Sequence, residues 1–283
     1  MKRTPITYYG GKQSMLDVIL PKIPKHKIYV EPFFGGGAVF FAKPPSYLEV
    51  INDKNERLIT FYEVMRDHFV ELNEMITGTL HSEAMYYRAK DIYNERIPGS
   101  RLEIAWSVWV ITNMSFSASM HGGWKWCNGS AGSHTGRFVS RKKNDFKQLQ
   151  KRLENVQISS RDALRVIKDR DTDETFFYLD PPYPGSVQGH YNGYTMKDFS
   201  QLLETITGIK GKFLLSNFWS QTLKYFTVKN QWTAYQKEII MKVANFSGRR
   251  YKTEILISNY ITESNLFTEL ETRNVKPETI IEQ

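Results

Sequence analysis

Apolar residues fall into short blocks separated by glycine and proline, and the blocks predict alternating strands and helices. Residues 1–12 are polar and end in Gly10, Gly11 and Lys12, and 13–24 read as a short helix closed by Pro24. The run 28-IYVEPF-33 is a short apolar strand, followed by Gly35, Gly36 and Gly37. Residues 38–43 open a helix that Pro44 and Pro45 stop. A second strand is predicted at 47–53, after which Leu58, Phe61, Tyr62 and Met65 recur at helical spacing. Strand, glycine-rich turn, helix and strand make the first half of a dinucleotide-type α/β unit.

From 63 to 120 the pattern is helical, and 102-LEIAWSVWVITNM-114 is apolar on all sides, as a buried helix would be. Strands return at 156–160, 176–180, 213–218 and 255–261. A chain that leaves an α/β sheet, makes a helical excursion and comes back predicts a second unit nested in a discontinuous first one. The division expected is 1–62 with 155–264 for the sheet, 63–154 for the insertion and 265–283 for a polar tail. With one cysteine in 283 residues, Cys127, neither a disulfide framework nor a multi-cysteine zinc site is available. The absence of any long apolar run or signal-type start predicts a cytoplasmic protein that spans no membrane, and no metal site is expected.

Charge changes the picture. The net charge is +8, and it is concentrated. Between Arg137 and Arg152 seven basic residues face one acid, Asp145, so this stretch alone carries a net charge of +6. An aromatic, glycine-rich segment precedes it, with Trp124 and Trp126 flanking Lys125. Basic and aromatic groups interleaved in this way suit a phosphate backbone and exposed bases. The candidate nucleic-acid contacts are Trp124, Lys125, Trp126, Arg137, Arg141, Lys142 and Lys143.

Two constellations carry candidate chemistry. In 30-VEPFFGGG-37 the glycines let the backbone approach a ligand at a helix N-terminus, and Asp53 ends the next strand where an acid meets ribose hydroxyls. In 177-FYLDPPYPG-185 a buried strand delivers Asp180 to its carboxyl end, followed by Pro181, Pro182 and Tyr183. Proline carbonyls stay free as acceptors. A carboxylate, a free carbonyl and a flat ring together suit a planar exocyclic amine.

DPPY after a hydrophobic strand, with VEPFFGGG far upstream, resembles the S-adenosylmethionine-dependent DNA adenine-N6 methyltransferases. The order of cofactor motif, recognition region and DPPY is that of the alpha, Dam-like class. The segments 5-PITYYGGK-12, 52-NDKNERLITFY-62 and 249-RRYKTEILISNY-260 resemble further family elements. The resemblance implies a Rossmann-like methyltransferase sheet with an inserted, mostly helical target-recognition domain, with S-adenosylmethionine as cofactor. It implies that Tyr8 and Lys12 close over the cofactor and that Glu31, Pro32, Phe33, Phe34, Gly35 and Gly37 pass beneath it. Asp53 would then hold its ribose and Asp162 its adenine. Asp180 and Pro181 would hold the target N6, beside Pro182, with Tyr183 on the base. The partners implied are double-stranded DNA and a cognate restriction endonuclease acting on the same site; a monomer is expected.

The recognition segment departs from the family's aromatic-Asn-Gly loop, so the resemblance carries no target sequence. Amine chemistry of the same kind leaves N4-cytosine or RNA methylation open, as well as a catalytically silent DNA-binding relative. C5-cytosine methylation needs a cysteine after proline, and Cys127 follows Trp126.

Overall fold

The computed structural model describes residues 4–126, 134–142, 146–184, 193–241 and 250–261. Among them the chain forms seven strands in one sheet: β1 (Ile28–Glu31), β2 (Leu48–Asn52), β3 (Val156–Ser159), β4 (Thr175–Leu179), β5 (Lys212–Asn217), β6 (Thr233–Met241) and β7 (Arg250–Ser258). The spatial order is β3-β2-β1-β4-β5-β7-β6. The first five strands are parallel, whereas β7 runs antiparallel between β5 and β6. This is a mixed α/β, Rossmann-like methyltransferase sheet, and its strand order reverses between β1 and β4.

Alternate residues of each strand face opposite sides, so every central strand feeds two cores. Tyr29, Ile51, Phe176, Tyr178 and Leu256 enter one core, while Val30, Val50, Phe177, Leu179 and Ile257 enter the other. On the second face lie α9 (Ala163–Asp169), α10 (Met196–Thr207) and α11 (Gln221–Lys229). On the first lie α1 (Leu16–Ile19) and α2 (Ala38–Ala42), then α3 (Glu56–Asp67), α4 (Phe69–Gly78), α5 (Glu83–Tyr93) and α6 (Arg101–Met114). Two further helices, α7 (His134–Lys142) and α8 (Phe146–Leu153), complete this face. The boundary expected at residue 62 falls inside α3, whose buried side runs from Leu58 to Met65. The helical excursion therefore shares its apolar core with the sheet.

Several expectations are adjusted. The helix expected at 13–24 is a four-residue α-helix between 3-10 turns at Lys12–Met15 and Leu20–Lys22. Strand β6 stands at the sheet edge, where half-buried and exposed residues alternate, so no apolar block marked it. α6 is buried from Ala105 to Thr112 and again at Met114, as expected of an apolar helix, and a capping box of Ser100 with Glu103 starts it.

The basic stretch is partly consumed by folding. The Arg152 guanidinium pairs with Glu49 on β2 and lies 3.9 Å from the centre of the Phe40 ring. Lys43 donates to the same carboxylate at 2.5 Å. Burial pushes Glu49 up, but Arg152 and Lys43 outweigh it and hold the carboxyl below its ordinary value. Glu49→Ala would leave two interior cations without their acid. The expected loss is about 3–5 kcal/mol of stability, the scale for removing one partner of a buried pair. Urea denaturation checks it, and an unchanged midpoint would contradict it.

Candidate active site

The reversal in strand order opens a crevice beyond the carboxyl ends of β1 and β4, where ligands of open α/β sheets bind. Val30 and Phe177 are register partners, so the turn after Glu31 and the turn after Leu179 emerge side by side. A cavity of about 50 Å³ lies there, lined by the Tyr8–Lys12 turn, Glu31, residues 33–39, Tyr178 and the Asp180–Tyr183 turn. Phe33 and Pro182 also line a larger, open cleft of about 600 Å³, whose other walls include Asp53, Asp162, Tyr194 and His121. The two spaces meet around Phe33 and Pro182.

The glycine turn is built by close approach. Gly35 and Gly37 have φ of 48° and 65°, and a Cβ on Gly37 would lie 2.5 Å from the Phe34 ring. Gly37 N–H donates to the Phe34 carbonyl at 2.8 Å, and Gly35 N–H to Asp53 Oδ2 at 2.9 Å. The other Asp53 oxygen accepts from Asn55 N–H at 2.9 Å. Asp53 thus ties the second strand to the turn while bordering the larger cleft. The Phe34 ring is buried among Phe40, Phe41 and Tyr62, so it supports the turn from the core while bordering the cavity.

The Lys12 side chain runs inside the site and lines the smaller cavity. The ammonium lies 2.8 Å from Asp180 Oδ1, donates to the Tyr183 hydroxyl at 2.8 Å and to the Gly10 carbonyl at 3.2 Å, and sits 3.3 Å from Glu254 Oε1. Its three N–H donors are therefore spoken for. Burial pulls Lys12 down, but Asp180, Tyr183 and Glu254 more than reverse this and hold it well above its ordinary value. Asp180 is pushed up to about 6 by burial, against the pull of Lys12, although 21% of its side chain remains exposed. Glu31 is pushed up to about 8 by burial, and the Tyr29 hydroxyl donates to it at 2.6 Å. Tyr183 is fixed through its hydroxyl and packs edge-on against Phe218, with ring centres 4.6 Å apart.

Asp162 caps α9 by accepting from Arg165 N–H at 3.1 Å and lines the larger cleft with Pro32, Phe33 and Tyr194. The Tyr178 hydroxyl is buried in the wall of the smaller cavity, and the Tyr194 hydroxyl is buried beside the larger cleft. Neither has a hydrogen-bond partner among the described residues. Buried polar atoms of this kind mark a place prepared for a ligand. Narrow glycines, acids at the ends of β2 and β3, aromatic walls and orphaned hydroxyls fit an adenosyl group with a polar tail.

The candidate nucleic-acid face is partly interior. An isolated bridge joins Ser115 to Trp124, and Tyr86 and Lys90 both donate to the Gly122 carbonyl, so residues 115–124 form an anchored loop. Trp124 packs against the core with His81 5.7 Å away. Trp126 is 57% exposed, and Arg137 is also exposed. Lys125 is pushed down by burial and by its neighbours Arg137 and Arg141, which shows three positive groups gathered together. Lys142 is committed to the Thr79 carbonyl at 2.7 Å. Arg141 donates to Asn113 Oδ1, which also accepts from the Thr7 hydroxyl at 3.3 Å beside the cavity wall. Lys143 lies outside the described residues. Sequence reasoning missed Glu254; an acid at the head of the apolar run Ile255–Ile257 of β7 was the available signal.

The model for the D12 class of N6 adenine-specific DNA methyltransferases matches residues 8–246. The chain is similar to the type II methyltransferase M.MjaIII of Methanocaldococcus jannaschii, with 26% identity across 90% of this chain and 98% of that one. It is similar to the type II methyltransferase M1.LlaDCHI of Lactococcus lactis subsp. cremoris, with 28% identity across 89% and 93%. The DNA adenine methylase of Escherichia coli strain K12 matches over a shorter stretch, with 30% identity across 33% of this chain and 34% of that one. Among the described residues, no helix is long and apolar enough to cross a membrane.

Proposed function

Because the chain belongs to the D12 class of N6 adenine-specific DNA methyltransferases, we propose that its methyl donor is S-adenosylmethionine and that Asp180, Pro181 and Tyr183 hold the target adenine. DNA is the substrate. The observation that supports the residue assignment is Asp180 itself: a carboxylate at the switch point, held by Lys12 on one oxygen and partly open to the cavity.

The adenine must leave the duplex stack to bring its N6 to Asp180. Tyr183, held by Lys12 and Phe218, offers a ring to the base. The Asp180 carboxylate and the Pro181 carbonyl accept from the two N6 protons. Acceptors in this arrangement favour a nitrogen whose lone pair stands out of the ring plane. The residues that would hold the donor are Tyr8, Glu31 and the glycine turn around the smaller cavity, and Asp53, Asp162, Phe33 and Tyr194 around the larger cleft. Bound S-adenosylmethionine supplies a sulfonium methyl as electrophile. As N6 gains positive charge, the Asp180 carboxylate stabilises it at a fixed distance, and Asp180 is basic enough to take the proton that N6 releases. No covalent bond to the protein is needed.

Residues 63–154 form the target-recognition part in this reading, with Lys125, Trp126 and Arg137 facing the DNA. His121, in the anchored loop, borders the larger cleft. Likeness to two full-length type II methyltransferases supports pairing with an endonuclease of the same site. A cytoplasmic monomer completes the proposal.

The test supplies methyl-labelled S-adenosylmethionine and unmethylated genomic DNA, and reads the modified bases by mass spectrometry across pH. Labelled N6-methyladenine is expected. The rate should fall as pH drops through about 6, because protonated Asp180 loses an acceptor. Folded protein that transfers no label from this donor would overturn the cofactor assignment. A rate independent of pH from about 5 to 8 would count against Asp180.

A further inference from the structure

Glu254 takes no part in the chemistry above, yet its carboxylate reaches the same ammonium as that of Asp180. It lies on β7, the strand that runs antiparallel to its neighbours, with 4% of its surface exposed. Its Oε1 accepts from the Ser216 hydroxyl at 2.6 Å and stands 3.3 Å from Lys12 Nζ. Ser216 is itself fully buried on β5. The next residues of β7, Ile255, Leu256 and Ile257, are apolar and buried, so an apolar side chain would serve the packing of this strand. Keeping a carboxylate there carries a desolvation cost, and one of its two polar contacts is the ammonium that also holds Asp180.

Lys12 has three N–H groups, and four acceptors surround it: Asp180, Tyr183, Gly10 and Glu254. The ammonium is shared. We propose that Glu254 is a positioning residue for methyl transfer: anchored by Ser216, it shares the charge of Lys12 with Asp180 and so leaves the Asp180 carboxylate able to accept from the substrate amine. The inference rests on the role given to Asp180 above. Without Glu254, Asp180 would be the sole counter-ion of Lys12. The pair would close, and the carboxylate would become a weaker acceptor and a weaker base.

The groups facing Asp180 are Lys12 from the turn before α1, Glu31 from the end of β1, Tyr178 from β4, Tyr183 from its own turn and Glu254 from β7. Removing the negative charge of Glu254 strengthens the pull of Lys12 on Asp180. The acid limb of the rate profile must then move to lower pH.

Glu254→Gln keeps the size of the side chain and an acceptor for Ser216. Single-turnover transfer to unmethylated genomic DNA is measured against pH for the wild type, Glu254→Gln, Glu254→Asp and Ser216→Ala, with melting curves and duplex binding by fluorescence anisotropy. In Glu254→Gln the rate at neutral pH is expected to fall about tenfold, with the acid limb lower by about one pH unit, the scale of one neighbouring charge. Duplex binding should be retained. Glu254→Asp should restore the limb, because it restores the charge. Ser216→Ala should lower the rate with a smaller displacement of the limb.

A Glu254→Gln rate that falls with the limb unmoved would make Glu254 a packing residue and overturn the inference; so would an unchanged rate. Should Glu254→Gln fail to fold, Ser216→Ala decides, and a wild-type rate and profile there overturn the inference. A wild type with an acid limb beside a Glu254→Gln profile identical to it defeats this inference alone. A wild type without any such limb defeats the assignment of Asp180 and this inference with it.

Discussion

Asp180→Asn is expected to lower the rate of methyl transfer by about a thousandfold, the upper range for losing one preorganised electrostatic partner of the transition state, while the protein still folds and binds DNA. The reason lies in the orientation that Lys12 imposes. Its ammonium stands 2.8 Å from Asp180 Oδ1. In the asparagine variant that position must be taken by the amide oxygen, because the NH2 group would point donors at a cation. The NH2 group is then left facing the substrate amine, itself a donor. An acceptor that attracts N6 protons becomes a group that repels them. The side chain keeps its shape, so base entry and donor binding should change little. Single-turnover transfer to unmethylated duplex measures the effect, with binding followed separately. A variant within about tenfold of the wild type would show that the Asp180 carboxylate stabilises little of the transition state.

Lys12→Met should cost both stability and activity, and the two losses should separate. The substitution leaves the carboxylates of Asp180 and Glu254 near one another without their shared cation. Removing one partner of a buried ionic network costs about 3–5 kcal/mol. The lower end applies here, because Asp180 still has a fifth of its side chain exposed. For a chain of this length that is a fall in melting temperature of about 6–10 °C. Transfer should fall as well, because Asp180 becomes more easily protonated at neutral pH and Tyr183 loses the donor that holds its hydroxyl. Adding Glu254→Leu to Lys12→Met removes the second acid and should restore most of the stability but none of the activity. Recovery of transfer in the double variant would contradict the role given to Lys12.

Much of this was legible in the sequence, at particular places. The turns after Glu31 and Leu179 were readable because their punctuation is local: glycines that tolerate positive φ, and prolines that lock φ in the negative region. Asp180 was readable because it ends an apolar run. Tyr183 was readable only as a ring; that its hydroxyl is bound by Lys12 depends on a residue 171 positions away. Phe34 was readable as part of the glycine turn; that its ring also packs on Tyr62 as core support was not, since sequence position does not say which side of a turn a side chain takes. Strand β6 went unread because an edge strand needs few apolar residues.

The basic stretch shows the same division. Its charge and its nearness to Trp124 and Trp126 were fixed by sequence, and they indicated a polyanionic partner. Which of its charges remain available was not. Arg152 is spent on Glu49, Lys142 on the Thr79 carbonyl and Arg141 on Asn113, while Arg137 stays exposed. The sequence by itself determined the alternation of strands and helices, the two turns that carry the chemistry and the class of substrate, because each rests on short-range periodicity or on residues adjacent in the chain. Only the tertiary structure decided that Lys12, Asp180, Tyr183 and Glu254 share one buried charge cluster. Those four residues come from the N-terminal turn, the turn after β4 and an antiparallel strand, and no local pattern links them. The sheet order that brings β1, β4, β5 and β7 side by side is what sets their distances.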